Sequence, residues 1–279
     1  MRLEGKTALI TGGSRGIGKA IAKRFVEDGA KIVVSDILKE ELDKTVAGLN
    51  AMKAGSALAC AGDVTNYEDV QKMVAETVKF GGKIDILINN AGIDPGGAIV
   101  DIQIDLWKKI LDVNVNGPFY CMRAAIPEMI KQGGGSIVNI GSLAGVRCLP
   151  SMPAYCTSKG ALLQLSAQCA LEYGPQKIRS NVVAPGATRT EMLVNAMAGL
   201  SNMINKDSQK KVDVLEEILP ESVPLRHPAN TDEIAGAVSF LASDDASFIT
   251  GAMLLVDGGA AIVDVSGASV ARAGAGWGV

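Results

Sequence analysis

The chain has 279 residues, 27 Lys plus Arg against 30 Asp plus Glu, 48% hydrophobic residues and one histidine, His227. That length fits one large domain or two small ones, and the composition excludes wholesale disorder. A net charge of −3 leaves no electrostatic footprint for nucleic acid or an anionic membrane. One histidine rules out a multi-histidine metal site, so no metal is expected, and a Ser-His-Asp triad would rest on His227 alone.

The five cysteines, Cys60, Cys121, Cys148, Cys156 and Cys169, form no C-x-x-C pair that would suggest zinc or a redox dithiol. Cys121 and Cys169 sit in apolar helical stretches and read as buried thiols, while Cys148 and Cys156 read as packing residues with no base beside them. The polar opening, Met1 to Lys6, leads straight into an apolar run, so no signal peptide is expected. No run reaches the roughly 18 apolar residues of a membrane helix. The expected setting is cytoplasmic.

In chain order, short and nearly continuous apolar runs predict strands at Thr7 to Thr11, Ile32 to Val34, Ile84 to Ile88, Ser136 to Ile140, Asn181 to Ala184 and Met253 to Val256. Helical stretches are predicted between them, at Gly16 to Asp28, Lys39 to Met52, Asn66 to Phe80, Trp107 to Lys131, Ala154 to Tyr173 and Thr231 to Ala242. The last opens on Asn230-Thr231-Asp232-Glu233, an N-cap with an acidic residue three positions on. Alternating β and α predicts an α/β fold built on a parallel, doubly wound sheet. Two segments break the rhythm. Residues 193–223 are Met- and Lys-containing and weakly helical, and predict an excursion over the sheet edge. Residues 260–279 are Gly- and Ala-rich, and read as a tail, frayed or used as a lid or subunit contact.

Directly after the first strand comes Thr11-Gly12-Gly13-Ser14-Arg15-Gly16-Ile17-Gly18, which opens a helix. Glycines there allow a tight turn and close approach of backbone N–H groups, and a helix N-terminus presents partial positive charge to a phosphate. Gly13 to Lys19 resembles a nucleoside-triphosphate loop until Ala20, where Mg²⁺ binding needs a Ser or Thr hydroxyl. The dinucleotide reading is favoured by Asp36, about 18 residues beyond Gly18 at a strand end, where a carboxylate accepts from a ribose diol. The same carboxylate repels a 2′-phosphate, which favours NAD over NADP. Arg15 speaks the other way, or simply faces pyrophosphate or solvent.

Tyr155 and Lys159 lie four apart at a helix start, hence one turn apart on one face. An ammonium beside a phenol favours the phenolate, so the Tyr155 pKa is expected to be drawn down from about 10. The strand ending at Ile140 runs into Gly141-Ser142, placing a hydroxyl at the carboxyl edge of the sheet where ligands of such sheets bind. Asn114, polar amid an apolar helical face, needs a partner or a task.

These motifs, Thr11-Gly12-x-x-x-Gly16-x-Gly18, Asp63-Val64, Asn89-Asn90-Ala91-Gly92, Asn114, Ser142, Tyr155-x-x-x-Lys159 and Pro185-Gly186, together resemble the single-domain short-chain dehydrogenase/reductase family over roughly residues 3 to 259. The resemblance implies a Rossmann-type three-layer sandwich with a seven-stranded parallel sheet in the order 3-2-1-4-5-6-7. It implies one catalytic and dinucleotide-binding domain over residues 1–259, and a homotetramer. It further implies that Tyr155 exchanges a proton with the substrate oxygen, that Ser142 holds that oxygen, that Lys159 lowers the Tyr155 pKa and bonds the nicotinamide ribose, and that Asn114 anchors a water relay. The cofactor contacts it implies run from Gly12, Ser14, Arg15, Gly16, Ile17 and Gly18 in the loop to Asp36 and Ile37 after the second strand. They continue with Asp63 and Val64 at the adenine, Asn90, Ala91 and Gly92 at the adenosine ribose, and Tyr155, Lys159, Pro185, Gly186, Thr188 and Thr190 around the nicotinamide.

By the same analogy the substrate pocket is bounded by Asp94, Leu143, Arg147, Met152 and Met192. Methionines there suit either an adaptable lid or plain packing. Arg147 reads as a solvated loop arginine, with recognition of a carboxylate or phosphate as the alternative. His227, before Pro228 at a helix entry, reads as structural. The expected activity is NAD-dependent interconversion of a secondary alcohol and a ketone. The alternatives are an NADPH-dependent 3-oxoacyl carrier or CoA reductase, and a non-catalytic cofactor-binding scaffold.

Overall fold

In a computed structural model, which describes residues 1–195, 197, 201 and 213–264, seven strands form one sheet. They are β1 (Thr7–Thr11), β2 (Lys31–Asp36), β3 (Ala57–Ala61), β4 (Ile86–Asn89), β5 (Gly135–Ile140), β6 (Ile178–Pro185) and β7 (Met253–Val256). Their order is β3-β2-β1-β4-β5-β6-β7 and every adjacent pair is parallel. The chain reverses its direction of winding between β1 and β4, so the carboxyl ends of those two strands flank the crevice where such sheets bind ligands.

The helices α1 (Gly16–Glu27), α2 (Lys39–Met52), α3 (Tyr67–Gly81), α4 (Ile104–Leu111), α5 (Gly117–Lys131), α6 (Pro153–Tyr173) and α7 (Thr231–Ala242) cover both faces. The alternation of strand side chains sorts them into two cores. Ile10, Ile32, Val34 and Ile88 pack with Ile21, Phe25, Leu42, Ile234 and Val238 from α1, α2 and α7. Leu9, Val33, Leu87 and Ile137 pack on the other face with Met73, Cys121, Ala125 and Cys169 from α3, α5 and α6. Burial on both faces is why these strands read as continuous apolar runs, each large side chain contributing about 1.5–3 kcal/mol. The α7 start behaves as its sequence predicts, with the Asn230 backbone N–H donating to Glu233 Oε2 at 2.7 Å.

Two elements differ from the sequence reading. The edge strand β3, Ala-Leu-Ala-Cys-Ala, was not among the expected strands. It has no β-branched or aromatic residue, and it forms because β2 offers a paired edge, with Ile32 to Asp36 matched to Ala57 to Ala61. The expected continuous helix from Trp107 to Lys131 is instead two helices joined by a π-helical turn, Asp112–Asn116. Pro118 explains the wider turn: it has no N–H for the Asn114 carbonyl four residues back, and its ring would collide with that carbonyl.

Of the segment expected to leave the sheet, the described part is helical at 191–195, with a π turn at Val214–Ile218 and a 3₁₀ turn at Pro220–Ser222. Of the Gly/Ala tail, residues 260–264 are described and include a 3₁₀ turn, Ala260–Ile262. The expectations for residues 265–279 lie outside the described residues.

Candidate active site

The loop from β1 to α1 is shaped by close approach. Gly12 has φ +62°, and a methyl added there would lie 2.7 Å from Ala91 Cα. A methyl on Gly18 would fall on the Gly12 carbonyl. Asn90 clamps the turn, its Nδ2 donating to the carbonyls of Thr11 at 3.0 Å and Gly12 at 2.8 Å. Thr11 Oγ1 accepts from the backbone N–H groups of Asn90 and Ala91 at 3.1 and 3.2 Å. The α1 N-terminus has neither a side-chain cap nor an acidic residue in its first turn. A glycine cradle at a helix start free of competing anions fits a dinucleotide pyrophosphate.

Asp36 ends β2 beside this cradle. Its Oδ2 accepts from the Ser14 backbone N–H at 3.1 Å and from the Ser14 hydroxyl at 2.6 Å, and its Oδ1 accepts from the Leu38 N–H at 3.1 Å. The carboxylate thus ties the loop to β2 and retains lone pairs on Oδ1 for a further donor. Ile37 next to it is largely exposed. Arg15 points to Glu191, 3.4 Å away, in an exposed pair of the kind that contributes little.

Asp63 Oδ1 takes the backbone N–H and hydroxyl of Thr65, both at 2.8 Å. Val64 is buried, and a methyl on Gly117 would come within 2.8 Å of its Cγ2. After β6, Gly186 lies so near Asp257 that an added methyl would meet Asp257 Cα at 2.9 Å. Thr188 Oγ1 donates to the Gly186 carbonyl at 3.1 Å, and Thr190 closes against Gly16, whose added methyl would meet its Cγ2 at 3.5 Å. Ile17 sits in the first turn of α1, packed against the core on that face.

The remaining groups meet at the carboxyl ends of β4 and β5. Pro153 at the first position of α6 sets the helix start, so Tyr155 and Lys159 follow one turn apart. Lys159 is 5% exposed, donates to the Ile140 carbonyl at 2.8 Å and lies 5.6 Å from the centre of the Tyr155 ring. Ser142, just past β5, accepts from the Ala144 N–H at 3.1 Å and lies close enough to Tyr155 to favour its ionised form. Asn114, carried by the π turn, accepts from the Ile93 N–H and donates to the Ile93 carbonyl, both at 2.9 Å. Its amide also donates to Ser158 Oγ at 3.0 Å, and Ser158 donates to the Tyr155 carbonyl at 2.7 Å. A methyl on Gly92 would lie 3.3 Å from Asn114 Oδ1 and 3.6 Å from Lys159 Nζ. Gly92 therefore allows the loop after β4 to pass between those two side chains.

One electrostatic expectation is corrected. Burial pushes the Tyr155 phenol up to about 12, although the nearby Ser142 hydroxyl acts to lower it. Burial also pushes Lys159 down to about 8. Spacing along the helix reports only that an ammonium and a phenol are brought together. In the folded site both charged forms also lose hydration, and that cost dominates.

Of the substrate-side residues, Asp94 follows Ile93 in the pinned loop, Leu143 opens the 3₁₀ turn Leu143–Gly145, and Met152 precedes α6. Met192 lies in the helical residues 191–195 and is half exposed. Arg147 is exposed, and its Nη2 donates to the Ala261 carbonyl at 2.6 Å. Cys121 and Cys169 are buried, Cys148 is exposed, and Cys156 Sγ accepts from the Leu149 N–H at 3.5 Å. His227 is exposed, with Nδ1 3.1 Å from the Pro228 carbonyl. Sequence reasoning missed Ser158 and the Ile140 carbonyl. A serine four residues before a buried one-face neighbour is a faint signal for the first, and a backbone acceptor leaves no signal for the second.

A glycine cradle at the switch point of a doubly wound sheet, facing a tyrosine, lysine and serine at the adjacent strand ends, defines an oxidoreductase of the dinucleotide-binding class. Residues 12–261 match the family profile described as Enoyl-(Acyl carrier protein) reductase. Dehydrogenase/reductase SDR family member 4 of Homo sapiens is 40% identical over 261 residues, 92% of this chain and 88% of that protein. Meso-2,3-butanediol dehydrogenase of Serratia marcescens is 37% identical over 264 residues, 95% of this chain and 98% of that enzyme. The crystal structure of levodione reductase matches with a TM-score of 0.87 at 31% identity, covering 94% of this chain and 100% of that one. The chain belongs to the short-chain dehydrogenase/reductase family, whose members typically bind NAD or NADP. Among the described residues no helix is long and apolar enough to cross a membrane.

Proposed function

We propose that this protein is an NAD-dependent dehydrogenase interconverting a secondary alcohol and a ketone. The observation that carries the reading is the convergence of Tyr155, Ser142 and buried Lys159 beside the loop that Asn114 pins. When bound, the dinucleotide supplies the hydride acceptor or donor. The chain's own residues do the rest. Tyr155 passes a proton to or from the substrate oxygen, which Ser142 holds by its hydroxyl. Lys159, set by the Ile140 carbonyl, places positive charge behind the phenol and offsets part of the cost of its anion. Asn114 and Ser158 fix the loop and the first turn of α6 relative to one another.

The preference for NAD rests on Asp36. A 2′-phosphate at that strand end would face a carboxylate already holding Ser14 and Leu38. Steady-state kinetics with both dinucleotides are expected to give a kcat/KM at least about tenfold higher for NAD, each 1.36 kcal/mol being a factor of ten. Asp36→Asn keeps acceptor oxygen and loses charge, so it should narrow that ratio by about tenfold. An NADP preference in the wild type would favour the 3-oxoacyl reductase alternative.

A homotetramer belongs to the same reading. It is supported by exposed apolar side chains at the α4 and α5 side, Ile99, Val100, Ile104 and Phe119, and at Leu171 and Phe248. Light scattering on the purified protein is expected to return four chain masses. A monomer mass would contradict the assembly.

A further inference from the structure

The loop after β4 holds one acidic side chain against the reacting groups. Ile93 is fixed by two hydrogen bonds to Asn114, and Gly97 donates to the Ser151 carbonyl at 2.7 Å. Asp94 lies between these anchors, with Pro95 after it restricting its backbone to extended conformations. It follows by two residues Gly92, where an added methyl would lie 3.6 Å from Lys159 Nζ, so the loop carries its half-buried carboxylate close to the reacting groups, and it acts electrostatically on both Lys159 and Tyr155.

The basic side chains at the same rim are engaged elsewhere. Arg147 donates to the Ala261 carbonyl in a turn that Asp257 also organises, through the N–H groups of Gly259 at 3.0 Å and Ala261 at 2.7 Å. Arg189 forms a two-pronged pair with Glu216 at 2.6 and 2.8 Å. Arg189 is thus neutralised by Glu216 and Arg147 is held by a backbone acceptor, which leaves Asp94 as the acidic group acting on Tyr155 and Lys159.

We propose that Asp94 is a specificity-determining residue, making the pocket select alcohols with a hydroxyl or ammonium on the neighbouring carbon and reject those with a carboxylate or phosphate there. The inference rests on the dehydrogenase reading above and names the substrate class of that site. A carboxylate held in partly desolvated surroundings gains from a donor on the substrate, and loses if a second anion is brought beside it. A site arranged to bond a substrate donor also disfavours the analogue that lacks it, because the acceptor is then left without its partner.

The test is kcat/KM with NAD for four probes: cyclohexanol, and cyclohexanol carrying hydroxyl, ammonium or carboxylate on the adjacent carbon. In the wild type, the hydroxyl and ammonium probes are expected to exceed cyclohexanol by about tenfold or more, and the carboxylate probe to fall about tenfold or more below it. Asp94→Asn should bring the ammonium and carboxylate probes to within about threefold of cyclohexanol while keeping part of the hydroxyl preference, since an amide oxygen still accepts. Asp94→Leu should remove the hydroxyl preference as well. A residue that only supports the loop would lower all four values together and leave their ratios unchanged. Unchanged ratios in both variants, or a wild type that prefers the carboxylate probe, would overturn the assignment. Absence of turnover on all four with either dinucleotide contradicts the dehydrogenase reading itself, and the Asp94 assignment falls with it.

Discussion

Tyr155→Phe is expected to lower kcat by about 10²–10⁴-fold while leaving the dinucleotide dissociation constant within about threefold of wild type. The phenyl ring fills the same volume at the first turn of α6, so the loop geometry around Ser142 and Lys159 is retained. What is lost is the hydroxyl, the group we propose moves a proton at the substrate oxygen. Stopped-flow turnover and fluorescence titration with the reduced dinucleotide separate the two quantities. Residual turnover near wild type would remove Tyr155 from the chemistry. A parallel loss of dinucleotide binding would show that it acts through the cleft.

The second large effect concerns Lys159, and it is one of stability as well as rate. Burial pushes its ammonium down to about 8 from an ordinary 10.5. At neutral pH both the folded and unfolded chains carry the proton, and the folded state bears the full cost of burying the charge. As pH rises from about 8 toward 10.5 the folded lysine gives up its proton while the unfolded one keeps it, so this contribution to stability improves. The span corresponds to on the order of 3 kcal/mol. Lys159→Met cannot titrate, so the wild type should gain on the variant by that amount across this range. The Ile140 carbonyl loses its donor in the variant at every pH, and that loss cancels in the comparison. Denaturant unfolding of both proteins at neutral and alkaline pH measures the difference, and parallel profiles would contradict it. Turnover of the variant at neutral pH is expected to fall about 100-fold or more.

The two predictions show how burial changes an argument made from spacing alone. Four-residue spacing places Tyr155 and Lys159 together, and the helix does so. Spacing carries no information on how much water each group loses, and here that loss sets the direction in which both titrate. The same holds elsewhere in the fold. The strands β1, β2, β4, β5 and β6 were legible because both their faces are buried, which leaves an unbroken apolar run. Strand β3 was not, because alanines at a sheet edge have little β preference and form a strand only when β2 is already in place. The π turn at Asp112–Asn116 was hidden in a helical pattern, although Pro118 carried its cause. The glycine cradle and the Asp36 position were legible as local chemistry at a strand end. The bond from Arg147 to Ala261 was not, since it joins segments 114 residues apart and uses a backbone acceptor.

Asp94 was expected at the substrate pocket from the family resemblance alone. Its neighbours in sequence describe only a loop before a proline. Its proximity to Lys159 and Tyr155 follows from the two hydrogen bonds between Ile93 and Asn114, which form only when the π turn faces the end of β4. The Tyr155 and Lys159 pair thus comes from a local motif, and the charge beside it from long-range packing.

The central claim is hydride transfer between a secondary carbinol carbon and a dinucleotide, with Tyr155 handling the proton. Its most direct test is to supply NAD with a secondary alcohol deuterated at the carbinol carbon and analyse the reduced dinucleotide by mass spectrometry and proton NMR. One deuterium per turnover at the nicotinamide C4, formed by the wild type and suppressed in Tyr155→Phe, is the predicted result. Reduced dinucleotide without deuterium, or equal labelling by both proteins, would contradict it.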